Sequence, residues 1–402
     1  MSRGGSFRGF RRADGRMGIR NVLLVLPAGQ CANQLALECA AGVPGAFPLL
    51  HTQPCAHLGE DNEAARRCLV GLGQNPNAAA VLVVGIGCDS IPAEGIAGEI
   101  VGTGKPVEWL TVDPCGTWES AAEQGREWLA LQAAEIASAR REEGSPSDIT
   151  LAIKCGGSDS TSALAGNPAI GRAVDRLVED GGTVIFSETT EVIGAEHLLT
   201  ARAATPAIGA RIAAVVCSVE QSILKTGVDP RGTQPTPGNI AGGLTTLEEK
   251  SLGGVIKTGS CPIAGVFPWG GRPEGPGLHL MDCPANVPQL LLGWTAAGAQ
   301  LLVFSVGGGL PARIPSLIGT NVGGLPLLPI IKVLSNPRDR DAASYFDLDA
   351  SAILDGRETV DDVAVALWDW IIGTASGDHT YLEDYPAPAV QIWEMLVRGP
   401  TV

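Results

Sequence analysis

Four short apolar runs, each closed by or soon followed by a cysteine, constrain the first third of this chain more than any other feature. "NVLLVLP" (21–27), "FPLLHT" (47–52), "AVLVVGIGC" (80–88) and "VEWLTV" (107–112) are bounded by Gly or Pro, as strands buried on both faces are. Helical stretches such as 62–71 and 119–141 separate them. The alternation predicts a doubly wound, parallel α/β domain. Cys31, Cys55, Cys88 and Cys115 stand at or just past the ends of these runs. Ligands of open parallel sheets bind at the carboxyl ends of the strands, so several thiols are expected to share one site. Their spacing does not match a zinc ribbon, whose cysteines come in close pairs.

The charged and Pro-containing "ARREEGSPSD" (139–148) marks a boundary near 145. A second α/β unit follows, with strands at 149–155 and 181–188 and a helix opening at Asn167-Pro168. Beyond about 230 the chain is richer in Gly and Pro, with strands at "LHLMDC" and "QLLVFSV" and amphipathic helices at 359–372 and 386–397. The expected organisation is a Rossmann-like domain over 1–145, a second α/β unit over 146–235 and a Gly/Pro-rich α/β domain over 236–402.

The 402 residues carry 28 Lys and Arg against 43 Asp and Glu, a formal charge of -15 that repels nucleic acid and anionic membranes. The long uncharged span from Cys283 to Ala312 is broken by prolines and "VGGG", and reads as helix, turn and buried strand rather than a membrane helix. No signal-peptide pattern begins the chain, so the expected location is cytoplasmic. Ten cysteines in a reducing compartment are read as thiols or ligands, with Cys39, Cys68 and Cys217 in helical patterns as packing.

Three stretches could carry chemistry. In "KCGGSD" (154–159), Gly156 and Gly157 permit close backbone approach, while Ser158 and Asp159 offer polar contacts to an anionic or polyhydroxylated ligand. The same residues would equally make an ordinary strand-to-helix loop with local caps. "SETTEVIGAEHLL" (187–199) sets Glu188 and Glu191 after a strand, as metal ligands or proton carriers, or as helix-start carboxylates. "TPGNIAGGLTTLEEKSLGGVIKTGS" (236–260) offers Asn239, Thr245 and Thr246 to a substrate, and Lys250 and Lys257 to its carboxylate. Thr245 with Glu248 also spells a capping box. His51 at a strand end is a candidate ligand or base, and no nucleotide-binding glycine motif occurs in the required setting.

Taken together, "FRRADGRMGIRN", "HTQPCAHLGED", "VLVVGIGC", "CGGSD" with "NPAIG", "GGTVIFSETTEVIGAE", "PGNIAGGLTTLEEKSLG" and "IIKVLSN" resemble the altronate dehydratase family. That family includes galactarate dehydratase and the large subunit of sulfolactate sulfo-lyase. The resemblance implies an iron-dependent lyase that eliminates water or sulfite from a 2-hydroxy or polyhydroxy carboxylate. It implies Fe(II), or a 4Fe-4S cluster with one open iron, held by some of Cys31, His51, Cys55, Cys88, Cys155 and Glu188. Lys250 or Lys257 would meet the substrate carboxylate, and Glu191 or Lys154 would move the proton. The sugar-acid members begin with a small β-rich module lacking here, which implies a separate SAF-type subunit, and a homo-oligomer is expected. Where the family pattern has Gly-Arg-Gly, this chain has "VGGG" with Gly308 in place of Arg, and Arg313 is the replacement the sequence offers. The rival reading is a catalytically silent sugar-acid or anion-binding subunit.

Overall fold

The computed structural model describes residues 5–309, 324–385 and 391–399. Strands β1 (Phe7–Arg11) and β2 (Met17–Gly18) form an antiparallel pair at the start of the chain. Then come β3 (Val22–Pro27), β4 (Ala46–Pro48), β5 (Leu50–His51), β6 (Ala78–Gly85) and β7 (Val107–Thr111). Of these, β4-β3-β6-β7 make a four-stranded parallel sheet. β6 reads AAAVLVVG and is buried along its whole length, which is why its sequence shows no polar alternation. The helices Gly59–Gln74 and Trp118–Ala137 match the expected helical stretches, the second capped by the Thr117 hydroxyl.

Past β8 (Glu142–Gly144), which returns to pair with β1, the chain builds a seven-stranded parallel sheet. Its members are β9 (Thr150–Gly156), β10 (Thr183–Phe186), β11 (Ile263–Pro268), β12 (Gly277–Asp282), β13 (Leu301–Val306), β14 (Ile330–Leu334) and β15 (Leu348–Asp349). They lie in the order β11-β12-β10-β9-β13-β14-β15, so strands from both sides of residue 235 share one sheet. From β9 the chain winds to β10 on one side, and β13 and β14 lie on the other. This reversal puts a crevice at the carboxyl ends of β9 and β13, and the same logic puts one at the ends of β3 and β6.

One hydrophobic cluster takes residues from both sheets, among them Leu24, Leu26 and Val83 with Ala152, Ile185 and Phe304. The two sheets are thus joined by shared core. The span read as helix, turn and strand is so built, with the buried helix Val287–Ala296 followed by β13. Helix Pro206–Leu224 is the one described helix long and apolar enough to cross a membrane, and only 11% of that window is buried.

Two local expectations are corrected. Helix Gly166–Glu179 starts before Asn167-Pro168, and Asn167 does not cap it but donates to Gly253 O at 2.8 Å. The nearby cap is Asp159, on the short helix Ser160–Leu164. Within the expected helix 386–397, the described part is extended: β16 (Ile392–Trp393) pairs with β5, because edge pairing outweighs the local helical pattern of "QIWEMLV".

Candidate active site

Lysines and glutamates converge beyond the ends of β9 and β10. Lys154 lies near the end of β9, and Glu188 stands two residues past β10. Glu188 has φ 73°, the only positive φ of a non-glycine residue among those described. A left-handed conformation there costs roughly 1–2 kcal/mol, so its surroundings must hold it. Its carboxylate pairs with Lys154, and its second oxygen is 3.4 Å from Lys257 Nζ. Lys250 and Lys257 lie two helical turns apart, on and just past helix Leu247–Ile256, and so share a face. Lys250 Nζ is 2.9 Å from Glu191 and donates to Gln234 at 2.9 Å. Three ammonium groups thus face two carboxylates, leaving one positive charge for an anionic ligand.

The two carboxylates are pushed apart. Burial raises Glu188 above the ordinary carboxylate range despite Lys154. Burial works in the same direction on Glu191, but Lys250 and Lys154 outweigh it and hold that group below the usual range. Lys154 is also opposed by burial, yet Glu188 and Glu191 together raise it. Such a split is how neighbouring acids acquire different protonation roles. Glu188 is fully buried, whereas the Glu191 side chain is 17% exposed, so the cluster meets solvent at its Glu191–Lys250 end.

The "CGGSD" loop is mostly committed to the protein itself. Gly307 N–H donates to Gly156 O and Gly309 N–H to Gly157 O, both at 3.0 Å. Asp159 Oδ1 caps Ser162 N–H at 2.8 Å and accepts from Thr161, while Oδ2 accepts from Gly308 N–H at 2.8 Å. Ser158 Oγ lies 3.2 Å from Cys155 Sγ, and Asn239 donates to Ser158 O at 2.8 Å. Thr246 caps helix Leu247–Ile256, and Glu249, not Glu248, reaches back to Thr245. Asp159, Asn239, Thr245 and Thr246, expected as substrate contacts, make caps and loop ties in this structure. Gly308 has no room for a side chain in this arrangement, since a Cβ would lie 1.7 Å from Asn336 Nδ2 and 2.9 Å from Asp159. Arg313 lies outside the described residues.

The expected six-residue metal set is not brought together. Among the described residues, no group of three His, Cys, Asp or Glu side chains is placed to hold a metal ion. His51 is fully buried with both ring nitrogens engaged: Gln53 N–H donates to Nδ1 at 3.2 Å, and Nε2 donates to Pro27 O at 2.8 Å. Burial lowers its pKa to about 4, so it is a neutral structural residue. Glu188 belongs to the lysines, and Cys155 is buried beside Ser158.

Cys31, Cys55 and Cys88, by contrast, are all exposed, and Cys31 has both of the others as neighbours. What desolvation Cys31 has raises its thiol, and Cys55, Cys88 and Asp89 raise it further, with Cys55 in hydrogen-bonding reach. Asp89 accepts from Ile86 N–H at 2.8 Å and Gly87 N–H at 3.2 Å through Oδ2 and leaves Oδ1 buried without a partner. Cys115, also expected near this edge, shares a hydrogen bond with Gln124.

Sequence reasoning missed Gln234, Gln53 with His57, and the pair Asp282–Arg398. His57 Nδ1 donates to Gln53 at 2.8 Å under the Cys55 loop. Only the "HTQPCAH" spacing around Cys55 could have pointed to that bond. A cavity of about 540 Å³, lined by Arg16, Arg272, Thr150 and Thr183, lies at the amino ends of β9 and β10, on the edge away from these groups.

Two family descriptions match: "D-galactarate dehydratase/Altronate hydrolase, second domain" over residues 9–137, and "D-galactarate/Altronate dehydratase, C-terminal" over 146–398. The chain is 36% identical over 392 residues to (2R)-sulfolactate sulfo-lyase subunit beta of Chromohalobacter salexigens, spanning 95% of each. It is 32% identical over 382 residues to altronate dehydratase of Escherichia coli, spanning 92% of this chain and 74% of that protein. With galactarate dehydratase (L-threo-forming) of the same organism it shares 31% identity over 407 residues, spanning 95% of this chain and 75% of the relative.

Proposed function

The chain belongs to the D-galactarate/altronate dehydratase family and is a dehydratase or sulfo-lyase; from that premise we propose that it removes water or sulfite from a small 2-hydroxy or polyhydroxy carboxylate. The observation that carries the reading is the buried Lys154–Glu188 and Lys250–Glu191 cluster with its one surplus positive charge. Removing the proton beside a carboxylate builds negative charge on that carboxylate, which nearby ammonium groups stabilise. Lys250 and Lys257 take that role. Glu191, held ionised by Lys250, accepts the C2 proton. Its electron pair forms the C2–C3 double bond as the C3 substituent departs with its bonding pair. The proton shared by Lys154 and Glu188 goes to the leaving hydroxide, giving water. The enol tautomerises to the 2-keto acid.

Of the described residues, the exposed thiols Cys31, Cys55 and Cys88 are the donors whose chemistry suits the iron that the resemblance implies, although as placed they form no three-ligand ion site. Thiolates serve as ligands both of single iron ions and of 4Fe-4S clusters, and iron and sulfide analysis separates the two forms. When bound, such a group supplies Lewis-acid stabilisation of a departing oxygen. Both crevices open at carboxyl ends of parallel strands. A separate small β-rich subunit completes the assembly in this reading, supported by the "subunit beta" name of the sulfo-lyase relative. A cytoplasmic homo-oligomer belongs to the same proposal.

The test is anaerobic purification with iron and sulfide analysis, then assay against altronate, galactarate and sulfolactate with a carbonyl reagent to trap the 2-keto acid. Turnover with iron and sulfide present supports the reading. Binding without turnover, even with iron and the small subunit supplied, establishes a silent subunit instead.

A further inference from the structure

The segment 391–399 pairs with β5 in a two-stranded sheet of its own and reaches residues just past β12, so it touches the surroundings of both clusters. Against the thiol loop, β16 pairs with β5, Thr52 N–H donates to Trp393 O at 3.0 Å, and Met395 N–H donates to Thr52 Oγ1 at 3.0 Å. Further along, the N–H groups of Arg398 and Gly399 donate to Asp61, at 3.0 and 2.7 Å. Asp61 lies in the first turn of helix Gly59–Gln74, so these bonds frame the loop 52–58 that carries Cys55 and His57. Glu394 accepts from Asn286 at 3.2 Å and from Gln289 at 2.9 Å, which fixes the strap to the other sheet's loop.

The Arg398 side chain then leaves the thiol side. Its Nη1 is 3.1 Å from Asp282 Oδ2, and its Nη2 donates to Asp282 O at 3.2 Å. The other oxygen of Asp282 accepts from Thr189 Oγ1 at 2.9 Å. Thr189 follows Glu188 directly, and its N–H donates to Cys283 O at 2.9 Å. Hydrogen bonds, joined through Arg398's own side chain and the peptide link from Thr189 to Glu188, thus connect Asp61, beside the Cys55 loop, through Arg398, Asp282 and Thr189 to the left-handed Glu188. Only side-chain and backbone groups of this chain take part.

We propose that the strap 391–399 holds the thiol loop and the lysine–glutamate cluster in register, with Arg398 as the positioning residue between them. This deepens the lyase reading and rests on it for its catalytic consequence, but the mechanical part stands on the bonds alone. Two features give Arg398 this role. It is the strap residue whose backbone serves one loop while its side chain serves the other. Its fork makes two contacts with one aspartate, a geometry that a lysine ammonium reproduces only in part.

The experiment compares Arg398→Ala and Arg398→Lys with wild type in the full-length protein. Deuterium labelling of backbone amides resolved by mass spectrometry reads the loop 52–58, whose Thr52 N–H is held by Trp393 O, without reference to activity, with helix Pro206–Leu224 as the internal standard. Losing a charge-assisted tie between two loops shifts local opening on the order of tenfold, so labelling of 52–58 should speed up by that factor in the alanine variant while labelling of the standard helix stays constant. In the lyase assay kcat should fall with KM nearly unchanged, and lysine should recover part of both effects. Unchanged labelling of 52–58 and unchanged kcat in a folded Arg398→Ala protein would overturn the proposal. Raised labelling with no turnover even in wild type would instead uphold the strap and remove the lyase reading. A fall in kcat without a change in labelling would overturn the link to the thiol loop.

Discussion

Replacing Glu188 by Gln tests whether the lysine–glutamate cluster is an electrostatic unit. Glu188 is fully buried between Lys154 and Lys257, whose side chains are 4% and 3% exposed. The amide keeps the volume and the backbone strain but leaves three ammonium groups facing Glu191 alone. Breaking a buried pair in this way costs about 3–5 kcal/mol. The lower part of that range is expected, because Lys154, once relieved of Glu188, can release its proton and avoid part of the penalty. Combining Glu188→Gln with Lys154→Met returns the cluster to one surplus positive charge. The double variant should therefore be more stable than Glu188→Gln alone by roughly 2 kcal/mol, a non-additivity typical of directly paired groups. Urea unfolding at pH 7 followed by tryptophan fluorescence measures both values, and all variants lacking Glu188 should be inactive. A Glu188→Gln protein within about 1 kcal/mol of wild type, together with strict additivity in the double variant, would refute the reasoning.

Other perturbations separate structural residues from the site. Burial lowers His51 to about 4, so the folded protein binds fewer protons than the unfolded chain between that value and the ordinary histidine range. Its contribution is complete above the unfolded pKa and is lost as pH falls through this window, by roughly 3 kcal/mol in all. His51→Gln should flatten the stability profile there relative to wild type, as denaturant midpoints at pH 4 to 7 will show. Thr246→Ala should cost about 1 kcal/mol through loss of a cap and leave KM unchanged, whereas a large rise in KM would restore Thr246 as a substrate contact. Gly308→Arg should be destabilised by about 1–3 kcal/mol through overpacking against Asn336 and Asp159, and calorimetry showing no loss would mean that the loop accepts the family's arginine.

That the strand-end thiols lie together, and that the lysines and glutamates pair, was legible in the sequence for reasons different from those that hid the rest. Cys31, Cys55 and Cys88 could be grouped because the apolar runs imply parallel strands, and parallel strands send their following residues to one edge whatever the rotamers. Lys154, Glu188 and Glu191 follow the same positional rule. Residues singled out by type fared otherwise: His51, Asp159, Thr245 and Thr246 have side chains short enough to be satisfied locally, and each was taken up by a cap or a backbone bond. Periodicity misled at 391–399 because the pairing partner, β5, lies more than three hundred residues earlier and no local window contains it. The bonds from Arg398 to Asp282 and from Asp61 to the strap are equally non-local. Position along a parallel sheet is a statement about the whole fold, so it survives translation into three dimensions. A side chain's chemistry is a statement about what it could do, and the nearest unpaired backbone group competes for it first.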